Sequence, residues 1–371
     1  MKYLKKFSTD SARAEYEGSE NYLEPYVSYV EVDNTVHYNK PKETRVVAVF
    51  NVTSTSTPTK IGYNQYTSAF TEIEIDGAVQ STVVSAYTFD TLGEHTIKYT
   101  LLDSANIGQH AFRGCSSITS VTIPNSVTSI GNHAFRSCGG LTSLPIGNDV
   151  TSIGDSAFSD CGGITSVTIG SGVTNIGNDA FNNCINLTSI VVDSSNTIYD
   201  SRDNCNAIIE TSTNRLIAGC NNTVIPNSVV SFNNGVFYNC TGLTNVVIPD
   251  SVTSIGQSVF AYCISLTSVT IGSGVTSIGD SSFASCSGLT NVVIPHTVTS
   301  VGNGAFIACS SLYDVHVDRS TPPTLGSGTF NYNASGRKIY VPVGSGNDYK
   351  TANNWSTYAN DIEEINSSND F

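Results

Sequence analysis

Apolar residues recur along the chain at a fixed interval, the one that separates Phe112 from Phe135. Each unit contains a phenylalanine that is followed three residues later by a cysteine. The pairs are Phe112/Cys115, Phe135/Cys138, Phe158/Cys161, Phe181/Cys184, Phe237/Cys240, Phe260/Cys263, Phe283/Cys286 and Phe306/Cys309. One such unit cannot bury its own apolar positions, whereas stacked units form continuous apolar ladders. The period therefore predicts a repeat solenoid with these side chains buried and stacked in register.

The period is interrupted once and degenerates at its end. The interval from Phe181 to Phe237 is more than twice the usual one. The extra length predicts a hairpin insertion near residues 193–222. Phe330 follows Phe306 at an interval one residue longer than usual and has no matching cysteine, so it begins a degenerate unit. The solenoid is expected to span residues 105–333.

Each unit is predicted to contain two short strands and one helical turn. Alternation in Leu-Thr-Ser-Val-Thr-Ile predicts a strand whose Val and Ile side chains point inward. A second extended run ends at an isoleucine, and the glycine after it predicts a left-handed or tightly turned backbone. Ala-Phe-x-x-Cys predicts the helical turn. The glycines are Gly131, Gly154, Gly177, Gly256 and Gly279, and Asn233 stands at the same place in one further unit.

The segments that flank the repeats differ from them in composition and predict separate modules. Residues 1–43 contain two alternating runs joined by a turn, which predicts a hairpin in a small mixed α+β module. Residues 44–104 contain several alternating runs, which predicts a β-sandwich-like domain before the solenoid. Residues 334–371 are expected to form a C-terminal cap, because the last coil needs a cover for its apolar rung.

The repeat unit is similar to that of the BspA-like leucine-rich-repeat family. The unit Ile-Gly-x-x-Ala-Phe-x-x-Cys-x-x-Leu-Thr-Ser-Val-Thr-Ile-Pro-x-Ser-Val-Thr-Ser is carried, with small variations, by residues 130–152 and 255–277. The resemblance extends over residues 105–365 and implies a leucine-rich-repeat array with a terminal cap. Members of that family are mostly exported surface or adhesion proteins of gut and oral bacteria. The resemblance therefore implies a binding role at a bacterial cell surface.

The first residues carry a second resemblance. Met1-Lys-Tyr-Leu-Lys-Lys-Phe, with the Tyr-rich runs around residues 25–39, is similar to leader modules of structural proteins in phages and prophages of gut anaerobes. The basic start is not followed by the apolar stretch of about 7–15 residues that a secretory signal needs. The resemblance implies a virion protein that is made in the host cytoplasm and docks through this module. Tyrosine is favoured at interfaces, and the candidate docking residues are Tyr3, Tyr22, Tyr26, Tyr29 and Tyr38.

Charge and hydropathy exclude two classes of partner. The chain has 31 acidic residues against 17 Lys and Arg, with a formal net charge of -14. Phosphate backbones attract basic surfaces, so we expect no nucleic-acid partner. No segment approaches the roughly 20 consecutive apolar residues of a membrane span. Only 13% of the residues are charged, which predicts a largely neutral polar surface.

The cysteines of the repeats are predicted to be small buried side chains rather than ligands. Each lies one whole period from the next, which differs from the Cys-x-x-Cys spacing of zinc sites. Free cysteine is among the most buried residue types. Cys205 and Cys220 lie outside the ladder in the insertion, and the sequence leaves open whether they form a disulfide.

No other residues form a recognisable catalytic, cofactor or metal site. The six histidines do not share a metal-binding spacing, although His110 and His133 lie one period apart and are expected to stack. The insertion contains Asp193, Asp200 and Asp203, but their spacing does not fit a calcium loop. We therefore predict a protein that is not an enzyme and has no cofactor.

The remaining candidate is the outward face of the longer strand, a strip of hydroxyls, amides and small apolar groups. Repeat solenoids commonly bind partners on such extended faces; the alternative is a strip that is only solvated. The candidate binding residues are Ser120, Thr122, Ser166, Thr168, Asn245, Val247, Ser268, Thr270, Asn291, Val293 and His316.

Two functions are compatible with the sequence. The first is a virion-associated fibre, decoration or receptor-binding protein of a phage, attached to other virion proteins by the N-terminal module. The alternative is a bacterial cell-surface or host-interaction adhesin of the BspA-like type. In both cases the solenoid would bind a protein or glycan ligand, and homo-oligomers are possible in principle.

Overall fold

The structure is a computed structural model, and it describes residues 28–30, 36–38, 44–63 and 69–365. It forms two compact units, 1–45 and 46–371. In the first unit, strands β1 (Ser28–Val30) and β2 (Val36–Tyr38) pair antiparallel. This antiparallel pairing is the one that the two alternating runs predict. The rest of the predicted N-terminal module lies outside the described residues.

An antiparallel sheet precedes the first coil and shares a strand with it. The strands of this region are β3 (Arg45–Val52), β4 (Thr59–Lys60), β5 (Phe70–Ile75), β6 (Ala78–Val79), β7 (Ala86–Tyr87) and β8 (Gly93–Leu101). The first long strand of the repeats, β10 (Ile118–Thr122), joins them in the order β10-β3-β8-β5-β6, and β4 pairs with β7 beside them. The predicted boundary near residue 104 therefore crosses a hydrogen-bonded sheet. A five-stranded sheet joined to the solenoid, instead of a separate sandwich, occupies the front of the second unit.

The same sheet covers the first apolar rung of the repeats. The ring of Phe112 lies 5.3 Å from that of Phe70 and 4.9 Å from that of Tyr99. The Tyr99 hydroxyl donates a hydrogen bond to the Ile61 carbonyl at 2.7 Å, so this buried tyrosine is satisfied. The front sheet thus acts as the N-terminal cover that an isolated solenoid lacks.

The coils contribute two rows of parallel strands. After β10, the longer strands are β12 (Ser143–Ile146), β14 (Ser166–Ile169), β16 (Ser189–Val192), β21 (Asn245–Ile248), β23 (Ser268–Ile271), β25 (Asn291–Ile294), β27 (Asp314–Val317) and β29 (Lys338–Val341). The short strands are β9 (Asn106–Ile107), β11 (Ser129–Ile130), β13 (Ser152–Ile153), β15 (Asn175–Ile176), β20 (Ser231–Phe232), β22 (Ser254–Ile255), β24 (Ser277–Ile278), β26 (Ser300–Val301) and β28 (Thr324–Leu325). Partners lie one coil apart, as in Val167↔Ile190. The predicted alternation of buried and outward positions is confirmed in these strands.

The phenylalanines form two stacks of parallel rings. Neighbouring rings from Phe112 to Phe181 are separated by 5.0, 5.3 and 5.8 Å between centroids. From Phe237 to Phe330 the separations are 5.0, 5.1, 5.1 and 5.7 Å. All eight repeat phenylalanines are buried, as predicted. The stacking ends at Phe181 and begins again at Phe237.

Glycine recurs at this position for a reason other than the predicted left-handed backbone. None of the five repeat glycines has a positive φ, so that part of the prediction is wrong. A Cβ on Gly154 would lie 2.5 Å from the Asn132 nitrogen of the preceding coil. Glycine is needed because two backbones approach closely there. The left-handed positions lie in the helical turn instead, for example at His133 (φ 56°) and Ser137 (φ 62°).

The cysteine ladder supplies hydrogen-bond donors as well as volume. The Cys138 thiol donates to the Phe112 carbonyl of the preceding coil at 3.1 Å, and the contact recurs along both blocks. In the degenerate unit Asn333 takes the place of cysteine, and its amide donates to the Phe306 carbonyl at 2.8 Å. All ten cysteines are free and buried, Cys205 and Cys220 included.

The insertion forms a small sheet that extends the row of short strands. Its strands β17 (Tyr199–Asp200), β18 (Ile208–Glu210) and β19 (Arg215–Ala218) pair in the order β17-β18-β19-β20. The Tyr199 hydroxyl accepts a hydrogen bond from the Ile176 N–H at 3.2 Å. The predicted hairpin therefore stands where one coil's short strand would be.

The C-terminal segment covers the last rung. Helix α1 (Gly346–Thr351), a 3-10 turn (Trp355–Tyr358) and strand β30 (Ile362–Glu364) follow the last coil, and β30 pairs with β29. The buried Trp355 ring lies 6.0 Å from Phe330, and its indole N–H donates to the Pro323 carbonyl at 2.8 Å. Arg337 pairs with Asp361 and lies over the Phe330 ring. This is the terminal cap that the stacking predicts.

We expect Phe260→Ala to lower the free energy of unfolding by about 3–5 kcal/mol, because it removes a fully buried ring from between two others. Guanidinium titration measures the change. Tyr332→Ala, at a ring that is 79% exposed, is the control and should cost less than about 0.5 kcal/mol. A cost for Phe260→Ala equal to that of the control would contradict the stacked core.

We expect the native thiols to be inert to iodoacetamide at pH 8, because burial raises the pKa of thiols such as Cys263 to about 12. After denaturation without reductant all ten should be alkylated. Ser310→Cys places a thiol on the surface and should react in the native state, which controls for reagent access. Recovery of fewer than eight thiols by mass spectrometry would show that ladder cysteines are oxidised.

Candidate functional site

The predicted strip of outward residues is present on the longer strands. Asn245, Val247, Ser268 and Thr270 are exposed, while the residues between them are buried. Ser166, Thr168, Asn291 and Val293 have the same orientation on β14 and β25. The alternation thus places ten of the eleven candidates on the outward face, either exposed or half-buried.

His316 is the exception, and its assignment to an exposed binding face is wrong. It occupies the outward register of β27 but is only 4% exposed. Its ring lies 4.7 Å from that of Tyr340 on the next strand. Side chains near the cap thus cover this end of the strip.

The strip is also divided into segments. Ser120 and Thr122 lie on β10, which pairs with β3 of the front sheet and not with β12. Along the described residues, ladder pairing is also absent between β16 and β21, on either side of the insertion, and between β23 and β25. The outward residues therefore form separate short surfaces instead of one continuous face.

Three valines at one register position are exposed on these surfaces. Val191, Val247 and Val293 are 49%, 61% and 37% exposed; Thr270 pairs with Val247 and holds the same register position one coil before Val293. When a partner covers β-branched side chains that face water, the burial of their apolar area stabilises the complex. They are the part of the strip with the clearest capacity to bind.

Many threonine hydroxyls beside the strip are used within the protein. Thr165 donates to the Thr142 carbonyl at 3.2 Å and Thr188 to the Thr165 carbonyl at 3.2 Å. Thr267 repeats the contact with Thr244 at 3.0 Å. The hydroxyl hydrogens of these threonines stabilise the stacking of coils and are not available to a ligand.

The predicted docking tyrosines belong to the N-terminal segment. Tyr3, Tyr22 and Tyr26 lie outside the described residues. Tyr29 and Tyr38 belong to β1 and β2, of which only the backbone is described. Docking through this module stays a prediction.

The described residues contain no group of three His, Cys, Asp or Glu side chains that could hold a metal ion. In the insertion, Asp200 forms an ion pair with Arg202 at 2.6 Å, and Asp193 accepts a hydrogen bond from the Ser195 N–H at 2.8 Å. Burial disfavours thiolates in the cysteine ladder, because it raises the pKa of Cys161 to about 12. In the same part of the chain, no helix has the length and hydropathy to cross a membrane.

His110 and His133 stack as the sequence predicts. Their rings are 4.8 Å apart and inclined by 14°, and Tyr63 continues the stack at 5.7 Å from His110. Burial, and then the neighbouring positive groups, lower the pKa of both imidazoles. The pair acts as neutral packing between the first two coils.

A cleft of about 340 Å³ lies where the insertion interrupts the turns. Its walls are residues 176–184 of one coil and residues 233–240 of the next, and its floor is residues 217–219 of the insertion. The residues predicted for the strip do not line it. The long interval between Phe181 and Phe237 is the signal that could have indicated it.

Parallel coils of one fixed length, each with one longer strand and one buried turn, define a leucine-rich-repeat solenoid. Residues 82–209 and 209–336 match the model of a protein family that is described as "BspA type Leucine rich repeat region (6 copies)". The chain belongs to this family.

Several solved structures are similar to this chain. The pneumococcal vaccine antigen PcpA is 15% identical, covering 72% of this chain and 84% of its own, with a TM-score of 0.49. A leucine-rich cell surface protein from Faecalibacterium prausnitzii is 26% identical. The match covers 71% of this chain and 77% of that protein, with a TM-score of 0.46. A leucine-rich repeat protein from Eubacterium ventriosum is 20% identical. The match covers 62% of this chain and 80% of that protein, with a TM-score of 0.44. None of the curated proteins compared with the chain matches it.

We expect acidification to destabilise the first two coils. The folded-state pKa values of His110 and His133 lie below the ordinary value of 6.5, so the unfolded chain binds protons more readily. Their contribution is complete above pH 6.5 and is lost as the pH falls below it. The melting temperature of His110→Gln/His133→Gln should therefore fall less between pH 7 and pH 5 than that of the parent. The exposed His296→Gln should behave like the parent, and an identical fall in all three proteins would refute this assignment.

Proposed function

We propose that the protein is a non-enzymatic binding protein that attaches to a protein or glycan ligand through its repeat solenoid, as an adhesin does. The observation that carries this proposal is the set of solvated valines on an otherwise neutral polar strand surface. Membership of the BspA-type family supports it, because such proteins are mostly surface or adhesion proteins. The cell surface is accordingly the proposed location.

The neutral surface suits contact with uncharged partners. Desolvating a charge is costly unless it is paired, whereas hydroxyls, amides and small aliphatic groups are covered at lower cost. An interaction through Val247, Thr270 and Val293 would place apolar area at its centre and the neighbouring amides at its rim. This arrangement is typical of binding surfaces and offers no group for acid–base or nucleophilic chemistry.

A virion-associated role is the second hypothesis. It rests on the resemblance of the first forty or so residues to phage structural proteins, and those residues lie almost entirely outside the described part of the chain. Deletion of residues 1–40 separates the two hypotheses, because it should abolish incorporation into particles while leaving adhesion by the solenoid intact.

The adhesion proposal predicts that a double substitution on the strand surface weakens attachment. Beads coated with the full chain are tested on immobilised mucin, which presents both peptide and glycan. Val247→Glu/Val293→Glu should weaken binding about tenfold or more, because each carboxylate must be desolvated in the interface. Gln257→Glu/Ser310→Glu makes the same change in charge on the turn side and should bind as the parent does. Equal binding by both variants would show that these valines do not form the interface.

A further inference from the structure

The cleft beside the insertion is the place where one turn of the solenoid is missing. The insertion continues the short-strand row with β17 to β19, but it supplies no Phe-x-x-Cys turn between Phe181 and Phe237. The floor is formed by Ile217, Ala218 and Gly219, and a Cβ on Gly219 would lie 2.1 Å from the Phe237 ring. The missing turn therefore leaves a space that is open between the two walls.

One wall of the cleft has backbone donors without acceptors. In the preceding coil the N–H groups of Ser156, Phe158 and Asp160 each donate to a carbonyl of the next coil at 2.9 Å. The equivalent groups one coil later belong to Asp179, Phe181 and Asn183. Among the described residues these three N–H groups have no acceptor. Phe181 is buried, Asn183 is half-buried and Asp179 is exposed, so these donors are open to water or to a ligand.

The other wall has the complementary acceptors. The carbonyls of Asn234, Val236 and Tyr238 occupy the positions that receive hydrogen bonds from a preceding coil. The Gly219 N–H reaches Val236 at 3.1 Å, whereas no N–H within the described chain reaches Asn234 or Tyr238. Donors thus face acceptors across a space that the described residues do not fill.

Side chains add a polar group and close one end. The Asn182 amide nitrogen donates to Asp179 at 3.1 Å, while its buried oxygen has no partner. The Asn183 and Asn239 side chains are hydrogen-bonded to each other across the gap. A compact ligand or chain end fits a space closed at one side, whereas a continuous polypeptide would have to leave through the Asn183–Asn239 contact.

An aromatic surface extends from the cleft. Tyr238 lines it, and the Tyr262 ring lies 5.3 Å from that of Tyr238. Tyr262 is 45% exposed. Its φ is 62°, a conformation that is uncommon for a bulky side chain. The equivalent position has a positive φ in every coil, and it holds a tyrosine again at Tyr332, so this conformation belongs to the repeat itself.

We propose that this cleft binds the terminal ring of a neutral glycan. A pyranose ring carries hydroxyls that both donate and accept, as the two walls require, and its C–H face matches a tyrosine ring. The volume of about 340 Å³ lies at the lower end of small-ligand sites. The only charged lining residue is Asp179, and the chain's net charge is -14, so an acidic sugar is disfavoured. This inference rests on the proposed binding function and assigns it a ligand class.

The test uses the full chain with galactose, N-acetylglucosamine and glucose as separate probes in calorimetry and saturation-transfer NMR. A single ring has about a dozen heavy atoms, so a Kd on the order of 1 mM is expected. Asn182→Leu removes the side-chain amide while keeping a similar volume, and it should weaken sugar binding about tenfold or more. Asn331→Leu makes the same change at the equivalent place beside the cap and should have no effect.

Hydrogen exchange supplies a readout that needs no substitution. Sugar binding should slow exchange of the Asp179, Phe181 and Asn183 amides and leave those of the preceding coil unchanged. Binding of none of the three sugars, equal binding by the two variants, or protection elsewhere would overturn the proposal. Protection of the same amides by a five-residue alanine–serine peptide but by no sugar would assign the cleft to a polypeptide end and also overturn it.

The proposed function can fail independently. If mucin attachment depends on Val247 and Val293 while no sugar protects the cleft, the glycan inference falls and the adhesion proposal stands. If a sugar binds the cleft while mucin attachment is absent, the glycan inference stands and the adhesion surface is wrong.

Discussion

Every coil of this protein depends on its neighbours for both apolar contact and backbone hydrogen bonds. A single ring such as Phe260 is buried because Phe237 and Phe283 lie on either side of it. The same register aligns strand backbones, threonine hydroxyls and thiols with acceptors one coil away. The stability of such an array comes from contacts between adjacent units. Each end and each interruption therefore needs a replacement for the missing neighbour.

The two ends meet this need with different structures. At the front, an antiparallel sheet shares β10 with the first coil and packs Phe70 and Tyr99 on Phe112. At the back, Trp355 and the Arg337–Asp361 pair cover Phe330. The insertion replaces a neighbour only in part, because it continues the short-strand row but not the turns. Unpaired backbone groups remain there, and the candidate glycan site arises from that incomplete replacement.

The use of polar groups inside the stack explains why so few of them are candidates for recognition. Threonines beside the strand surface donate to carbonyls of the preceding coil, and Asn333 does the same work as the ladder cysteines. Hydroxyls and amides that hold coils together are not available to partners. The valines of the strand surface and the unpaired backbone groups of the cleft are not used in this way, so the binding proposals concern them.

The repeat period by itself determined which side chains are buried, because in a solenoid a residue meets its own equivalent one period away. The Phe and Cys ladders, the strand registers, the stacked His110 and His133 and the need for a cap all follow from that rule. Only the tertiary structure decided the cause of glycine at Gly154, the burial of His316, the sharing of β10 and the cleft between Phe181 and Phe237. These depend on distances between backbones and on segments without a period, for which the sequence contains no repeated register from which contacts could be predicted.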